Sequence, residues 1–262
     1  MKLLILLSAE VTGLENTWNK NITLDELEKQ KAFIESYISK KPRSALISRY
    51  FDEFKRNYIY NTNAIEGSPV TEYDTEIILK SNSFLEGYTA KENMEILGSG
   101  KAWDYVLTKP EISQETVINI HRNILFFDVD HAGVFRKIPV HVGDKQMLSP
   151  EELPEAMDTL FNSEKASVFE TAAEIHLKFE NIHPFVDGNG RTGRMIINLQ
   201  LIEAGYLPVN IKRNDAGKYY RCFRQYDKSK KKGIQEMFNL ITKYEYEELL
   251  KLRNLIETDM AE

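Results

Sequence analysis

Cysteine is nearly absent from this chain: Cys222 is the single one in 262 residues. A disulfide framework is therefore excluded, a reducing compartment fits, and Cys222 reads as a small packing residue. Positive charge is not in excess either. The net charge is −6, which weighs against a general nucleic-acid binder. The strongest basic run, Lys228 to Lys232, reads as a solvated loop in an acidic chain. Long apolar stretches are missing, so no segment is expected to span a bilayer. The run Leu3 to Leu7 is shorter than the apolar core of a secretory signal, about 7–15 residues, and Glu10 and Glu15 follow it. The expectation is a cytoplasmic protein with neither nucleic acid nor membrane as partner. His121, His131 and His141 are too scattered for zinc.

What is present is helical periodicity. An all-α helical bundle carrying one β-hairpin is expected. Thr23 and Glu26 have capping-box spacing and open a helix that Pro42 interrupts. Ile47, Tyr50, Phe51, Phe54 and Tyr58 then recur at helical intervals, until Gly67 and Pro69 stop them. Residues 71–81 make a short helix. Segments 92–106, 113–125 and 150–162 read as helices too, the last opened by Ser149-Pro150. A helix over 240–257 is a candidate for self-association as a homodimer, with packing on the domain the stronger reading. An N-terminal helical region, 1–90, is expected to precede a core over 91–262.

One segment alternates instead. Ile138, Val140 and Val142 fall on one face, with Lys137, Pro139 and His141 on the other. Gly143-Asp144 is a hairpin-turn signal, and Pro139 restricts the strand to an edge. A lone hairpin is marginal by itself. The helices must hold it, and its free edge is available to something else.

Between two helical segments runs His183-Pro-Phe-Val-Asp187-Gly188-Asn189-Gly190-Arg191-Thr-Gly-Arg194. His183 precedes a proline and should end the first helix in extended backbone. The glycines let the chain turn into the second helix, whose free N–H groups attract anions. Arg191 and Arg194 are expected to lean to one side of it. Together they suit several phosphates. Asp187 would be repelled by phosphate unless Mg²⁺ sits between them. His183 can take a proton from a hydroxyl near neutral pH, and Phe185 anchors the loop. The helical flanks argue against a hairpin turn. A calcium loop would need more acidic ligands.

This stretch resembles the signature of Fic-domain proteins at every defined position. Residues 60–245 are covered by the likeness, and the alternating segment resembles that family's flap. The resemblance implies transfer of AMP from ATP, with Mg²⁺, to a Tyr, Thr or Ser hydroxyl of a target protein, self-modification included. It assigns His183 as general base and Asp187 as the metal ligand. Gly188, Asn189, Gly190, Arg191 and Arg194 would hold the phosphates. Ile138, Pro139, Val140, His141 and Val142 would dock the target by strand addition. The related Doc kinases carry Lys where Gly190 stands. Tyr219 and Tyr220 lie where the family contributes to the adenine pocket, although core packing serves them equally.

Thr62 and Glu66, four apart near a helix end, share a face. With Gly67 they resemble the family's inhibitory motif in its N-terminal arrangement. That resemblance implies a Glu66–Arg194 pair which blocks the productive ATP pose. In some relatives the same glutamate activates water to remove AMP, so a de-AMPylating or bifunctional enzyme is the alternative.

Overall fold

Thr23 starts the first helix in the way its spacing predicts: its hydroxyl accepts from the Glu26 amide and the Glu26 carboxylate accepts from the Thr23 amide. The computed structural model describes residues 22–162 and 165–261, and the Leu3–Leu7 run lies outside them. Helix α1 is Leu24–Lys40, α2 Ala45–Ile65, α3 Glu72–Ser81, α4 Ala90–Val106 and α5 Gln114–Ile124. The strands β1, His141–Val142, and β2, Lys145–Gln146, follow. Then come α6 Leu153–Thr159, α7 Val168–Ile182, α8 Asn189–Glu203, α9 Ala216–Lys228 and α10 Lys230–Ala261. No helix among the described residues is long and apolar enough to cross a membrane.

Two elements differ from the sequence reading. The segment expected as a helix over 150–162 begins as a 3₁₀ turn, Pro150–Glu152, and is helical only to Thr159. Prolines at 150 and 154 remove two backbone donors there. The basic run is no loop: Lys228 ends α9, Ser229 alone is extended, and α10 restarts at Lys230. That helix is much longer than 240–257. The two helices fold tightly on each other because of Gly233, where a Cβ would stand 2.4 Å from the Tyr226 backbone.

Helices α7 and α8 lie between two apolar clusters. Phe169, Leu177, Ile197 and Leu201 face one, with α1, α9 and α10. Phe179, Ile182, Met195 and Leu199 face the other, with α3 to α6. Every α8 residue from Arg191 to Leu201 is therefore buried. Truncating a core side chain such as Phe179 to Ala typically costs about 3–5 kcal/mol. Helix α2 gives Tyr50 to the first cluster and Phe54 and Tyr58 to the second, so helices before residue 90 share both cores. The loop joining α7 to α8 is thus held from both sides.

The hairpin pairs His141 with Gln146 and Val142 with Lys145 across Gly143, whose φ is +58°. Its alternation predicts an inward apolar face, but Ile138 and Val142 are exposed. The buried residue is Met147 on the return, whose amide donates to Val140 O at 3.1 Å. Side-chain burial is not what anchors the flap. Arg136, itself buried, donates to the carbonyls of Ile138, Leu148, Ile182 and His183. Four carbonyl bonds to one guanidinium tie the flap base to the end of α7.

Candidate active site

His183 caps α7 with φ +50° and ψ +61°. This is left-handed backbone, not the extended conformation expected before proline. Such a conformation costs a non-glycine residue about 1–2 kcal/mol and persists where surroundings over-determine it. Here the His183 amide donates to Phe179 O at 2.9 Å, and Arg136 Nε donates to the His183 carbonyl at 2.8 Å. The turn folds the imidazole back over the last turn of α7. Burial, with Arg136 adding to it, holds its pKa below the ordinary histidine value, against opposing pulls from Glu180, Glu66 and Asp187. Burial thus favours the neutral ring, the form a proton acceptor needs.

The loop after it is braced from within and from α5. The Asn189 side chain accepts from Phe185 N at 3.0 Å and donates to Phe185 O at 2.9 Å. Phe185 is fully buried and stacks on His121, centroids 3.6 Å apart. Gly133 N donates to His121 Nδ1 at 2.8 Å. The proton is therefore on Nε2, which donates to the Asp187 carbonyl at 2.9 Å. Burial pushes the His121 pKa down to about 4, so this neutral tautomer is fixed. Gly188, at φ +77°, then turns the chain into α8.

Arg191 and Arg194 do not lean to one side. Helix α8 has a carboxylate-bearing neighbour on each flank, and each arginine takes one. Arg191, buried, pairs with Glu95 of α4 at 3.2 Å and with Asp187 at 3.3 Å. Lys91 also approaches Asp187, at 3.5 Å. Burial would raise the Asp187 carboxyl, but Arg191, the Gly188 amide and Lys91 outweigh it and hold it low. Arg194, 2 % exposed, faces α2. Its Nε donates to Thr62 Oγ1 at 2.8 Å, and its Nη2 to Thr62 O at 2.9 Å and Glu66 Oε1 at 2.6 Å. Burial opposes its charge, yet Tyr219 and Glu66 keep its pKa above the ordinary arginine value. Gly67, at φ +93°, ends α2 directly after Glu66.

Arg194 Nη1 also donates to the Tyr219 hydroxyl at 3.3 Å. Tyr219 then has its own proton for His176 Nε2, 2.8 Å away. Buried Tyr219 supports Arg194, and His176 of α7 is its second partner. Tyr220 is 42 % exposed, and its hydroxyl reaches Ile65 O at 3.3 Å. A cavity of about 510 Å³ opens over these groups, lined by Glu66, Glu180, His183, Gly190, Arg194 and both tyrosines. The flap roofs it through Val142, Lys145 and Met147, and Lys145 is tethered to Asn181 and Asp227.

Residues 111–201 match the family described as Fic/DOC. The protein adenylyltransferase Fic of Drosophila ananassae is 35% identical over 192 residues, 69% of this chain and 39% of that one. Its namesake from Drosophila virilis is 36% identical over 178 residues, 64% and 37% of the two chains. The chain carries a Fic/DOC-family domain. It spans about two fifths of the length of these curated relatives. Among solved structures, a Fic domain containing signaling protein from Bacteroides thetaiotaomicron superposes with a TM-score of 0.79 at 23% identity, covering 89% of this chain and 98% of that one. Fic-1 from C. elegans gives 0.74 at 24%, covering 96% and 76%. The two structures speak for the fold.

In this Fic domain four residues that sequence reasoning passed over hold the motif: Arg136, His121, Glu95 and Glu180. The first three are isolated polar residues far from the motif in sequence, with no periodicity of their own. Only Glu180 carried a local signal, being one helical turn before His183.

Proposed function

We propose that this Fic domain transfers AMP from ATP to a hydroxyl side chain of a target protein and is held inactive by Glu66. The observation that carries the reading is Arg194, whose guanidinium is engaged by Glu66 at 2.6 Å inside the cavity that His183 faces. At about 510 Å³ that cavity is in the usual range for a small-molecule site.

In this reading a target segment pairs with the free edge of the flap along Ile138, Pro139, Val140, His141 and Val142. His183 Nε2 takes the proton of its Tyr, Thr or Ser hydroxyl as the oxygen attacks the α-phosphorus. The bond to pyrophosphate breaks, and pyrophosphate leaves with the electron pair. The backbone N–H groups of Gly188, Asn189 and Gly190 face the phosphates at the start of α8. Arg191 and Arg194 clamp their oxygens, while Tyr219 and Tyr220 flank the base.

Asp187 is the residue that would hold Mg²⁺. Its carboxylate is half exposed at the loop, and no cluster of three or more ligands occurs among the described residues. One carboxylate completed by phosphate oxygens is a donor set Mg²⁺ accepts, and Lys91 would have to yield. When bound, the ion supplies charge neutralisation on the phosphates.

Glu66 opposes this by taking a phosphate clamp and adding a negative charge. Losing one charge-stabilising group typically costs about 10²–10³ in rate. A second reading, removal of AMP with Glu66 as base, is favoured by one detail: Glu66 Oε1 is paired with Arg194 while the carboxylate lines the same cavity as His183. Its other oxygen could then direct a water. A cytoplasmic location, self-modification and a homodimer belong to the same proposal.

Intact-protein mass spectrometry after incubation with ATP and Mg²⁺ tests it, on wild type, Glu66→Gly and Glu66→Gly/His183→Ala. An AMP adduct confined to Glu66→Gly is expected. If a synthetic AMP-modified substrate is instead cleaved by wild type but not by Glu66→Gly, removal is the main activity. Absence of both reactions in every protein, in the presence of cell lysate as target source, would overturn the assignment.

A further inference from the structure

We propose that Lys91 is the resident counter-ion of Asp187. It holds the place beside that carboxylate which a divalent ion takes, and so lets a nucleotide be seated before the ion arrives. The inference rests on the reading of this site as one for ATP. Lys91 lies outside the motif, on another helix.

Helix α4 brings the charge there. Its start is fixed by a reciprocal cap: the Thr89 hydroxyl accepts from the Glu92 amide, and the Glu92 carboxylate accepts from the Thr89 amide. Lys91 therefore falls in the first turn, and Glu95, four residues on, shares its face. That face meets the start of α8. Lys91 Nζ stands 3.5 Å from Asp187 Oδ2 and 3.8 Å from Glu95 Oε1. Arg191 Nη1 is 3.2 Å from the same Glu95 oxygen, and its Nη2 is 3.3 Å from Asp187 Oδ1. Two cations and two carboxylates alternate around a closed ring. The two Asp187 oxygens are not equivalent in it. Oδ1 accepts from the Gly188 amide at 2.6 Å and faces Arg191. Among the described residues, Oδ2 pairs only with Lys91. It is the oxygen open to an incoming ion, and Lys91 covers it.

Of the two cations in the ring, only Lys91 can come and go. Arg191 is buried, with its fork divided between Glu95 and Asp187. Lys91 is 62% exposed on its side chain and carries a compact charge on a flexible stem, with three rotatable donors. Exposed ion pairs hold weakly, so Lys91 yields to a stronger cation at small cost and keeps Glu95 as a partner. Without a cation at Oδ2, the carboxylate would repel the phosphates at the start of α8. Lys91 supplies one positive charge there. It supplies neither the second charge of Mg²⁺ nor its octahedral geometry, so it holds the place without doing the ion's chemistry.

Removing Lys91 then has two effects of opposite sign. Asp187 loses its counter-ion, so a nucleotide without metal binds less well. A divalent ion loses its competitor, so it binds better. A lysine that merely supported the fold would move both the same way, and a distant lysine would move both only slightly.

The test uses Glu66→Gly, which frees Arg194, with Lys91 intact, Lys91→Ala and Lys91→Arg. Lys101→Ala, on the same helix, reports the general field. A non-hydrolysable ATP analogue is titrated by calorimetry in EDTA at fixed ionic strength. Mn²⁺ alone is titrated by the broadening it causes in NMR signals of the motif loop. Lys91→Ala should weaken the metal-free analogue about threefold to fivefold, the scale of one exposed ion pair. It should lower the Mn²⁺ concentration for half broadening by a similar factor. Lys91→Arg keeps the charge and should restore most of both. Unchanged Mn²⁺ broadening or unchanged metal-free affinity in Lys91→Ala, or equal changes in Lys101→Ala, overturns the proposal. Neither arm needs AMP transfer, and the Mn²⁺ arm needs no nucleotide. If the analogue binds no variant, the ATP reading fails, and the Mn²⁺ arm alone decides whether Lys91 holds Asp187.

Discussion

Replacing Glu66 by Ala isolates what the Glu66–Arg194 pair contributes. The variant leaves Arg194, 2 % exposed, with its bonds to Thr62 Oγ1, Thr62 O and the Tyr219 hydroxyl. One of four bonds is lost, and it is the charged one. Breaking a fully buried pair costs about 3–5 kcal/mol. Glu66 is 37% exposed on its side chain, so water can reach the vacated place. The smaller scale of a hydrogen bond to a charged group, about 1.5–3 kcal/mol, therefore applies, at its low end. For a domain of this size each kcal/mol is about 2–4 °C in Tm, so a loss of roughly 3–8 °C is expected. A non-hydrolysable ATP analogue should reverse it, because its phosphate oxygens take the place the carboxylate left. At a hundred times Kd a ligand adds about 2.7 kcal/mol, enough to offset the loss, while wild type should gain less at the same concentration. Differential scanning fluorimetry with and without the analogue reads all four melting temperatures. If the variant melts with wild type and the analogue stabilises both equally, Glu66 does not hold Arg194 in solution and the brake argument fails.

Three further outcomes follow from buried groups. His121 and His176 are held neutral, pushed down by burial to about 4 and about 3. Depressed values mean stability that is present above the ordinary histidine pKa, near 6.5, and lost as pH falls toward 4 and below. Urea midpoints should drop between pH 7 and pH 4, and His121→Asn should flatten that slope. Glu245 is fully buried with Oε1 accepting from Leu207 N at 2.9 Å, and burial raises its pKa well above the ordinary carboxylate value. A raised value means stability present at acid pH and lost as pH rises, so Glu245→Gln should gain stability over wild type at pH 8 and not at pH 4, as read by urea unfolding. Arg136→Ala takes the donor away from four carbonyls, one of them fully buried, and should cost about 2–4 kcal/mol. Hydrogen exchange should show residues 138–148 losing protection before the helices do.

Local chemistry announces itself in the sequence, and long-range pairing does not. Thr23 with Glu26 marks a helix start because the reciprocal bonds close within three residues. Gly143-Asp144 marks the hairpin for the same reason, and the twelve residues from His183 to Arg194 carry their chemistry in one stretch. The flap's inward face was misread because alternation assumes that side chains anchor a strand, whereas backbone bonds to Arg136 anchor this one. The split of Arg191 from Arg194 was invisible because it depends on which helix packs on each flank of α8. His121 bonds a carbonyl 66 residues away, and no local pattern encodes that. The left-handed turn at His183 likewise needs Arg136, brought in from before the flap.

Gly190 leaves the room that the Glu66–Arg194 contact occupies. A Cβ there would stand 2.3 Å from Glu66 Oε1 and 3.1 Å from an Arg194 nitrogen. The atom in the way is the tip of a flexible side chain, so the helix would tolerate the substitution and even gain up to about 0.5–1 kcal/mol from losing a glycine. What gives is the carboxylate. Any side chain at this position, including the lysine of the Doc kinases, evicts Glu66 before it alters the phosphates. On the proposed reading, one substitution at this position would act on two things together, the cradle of the phosphates and the hold of Glu66 on Arg194.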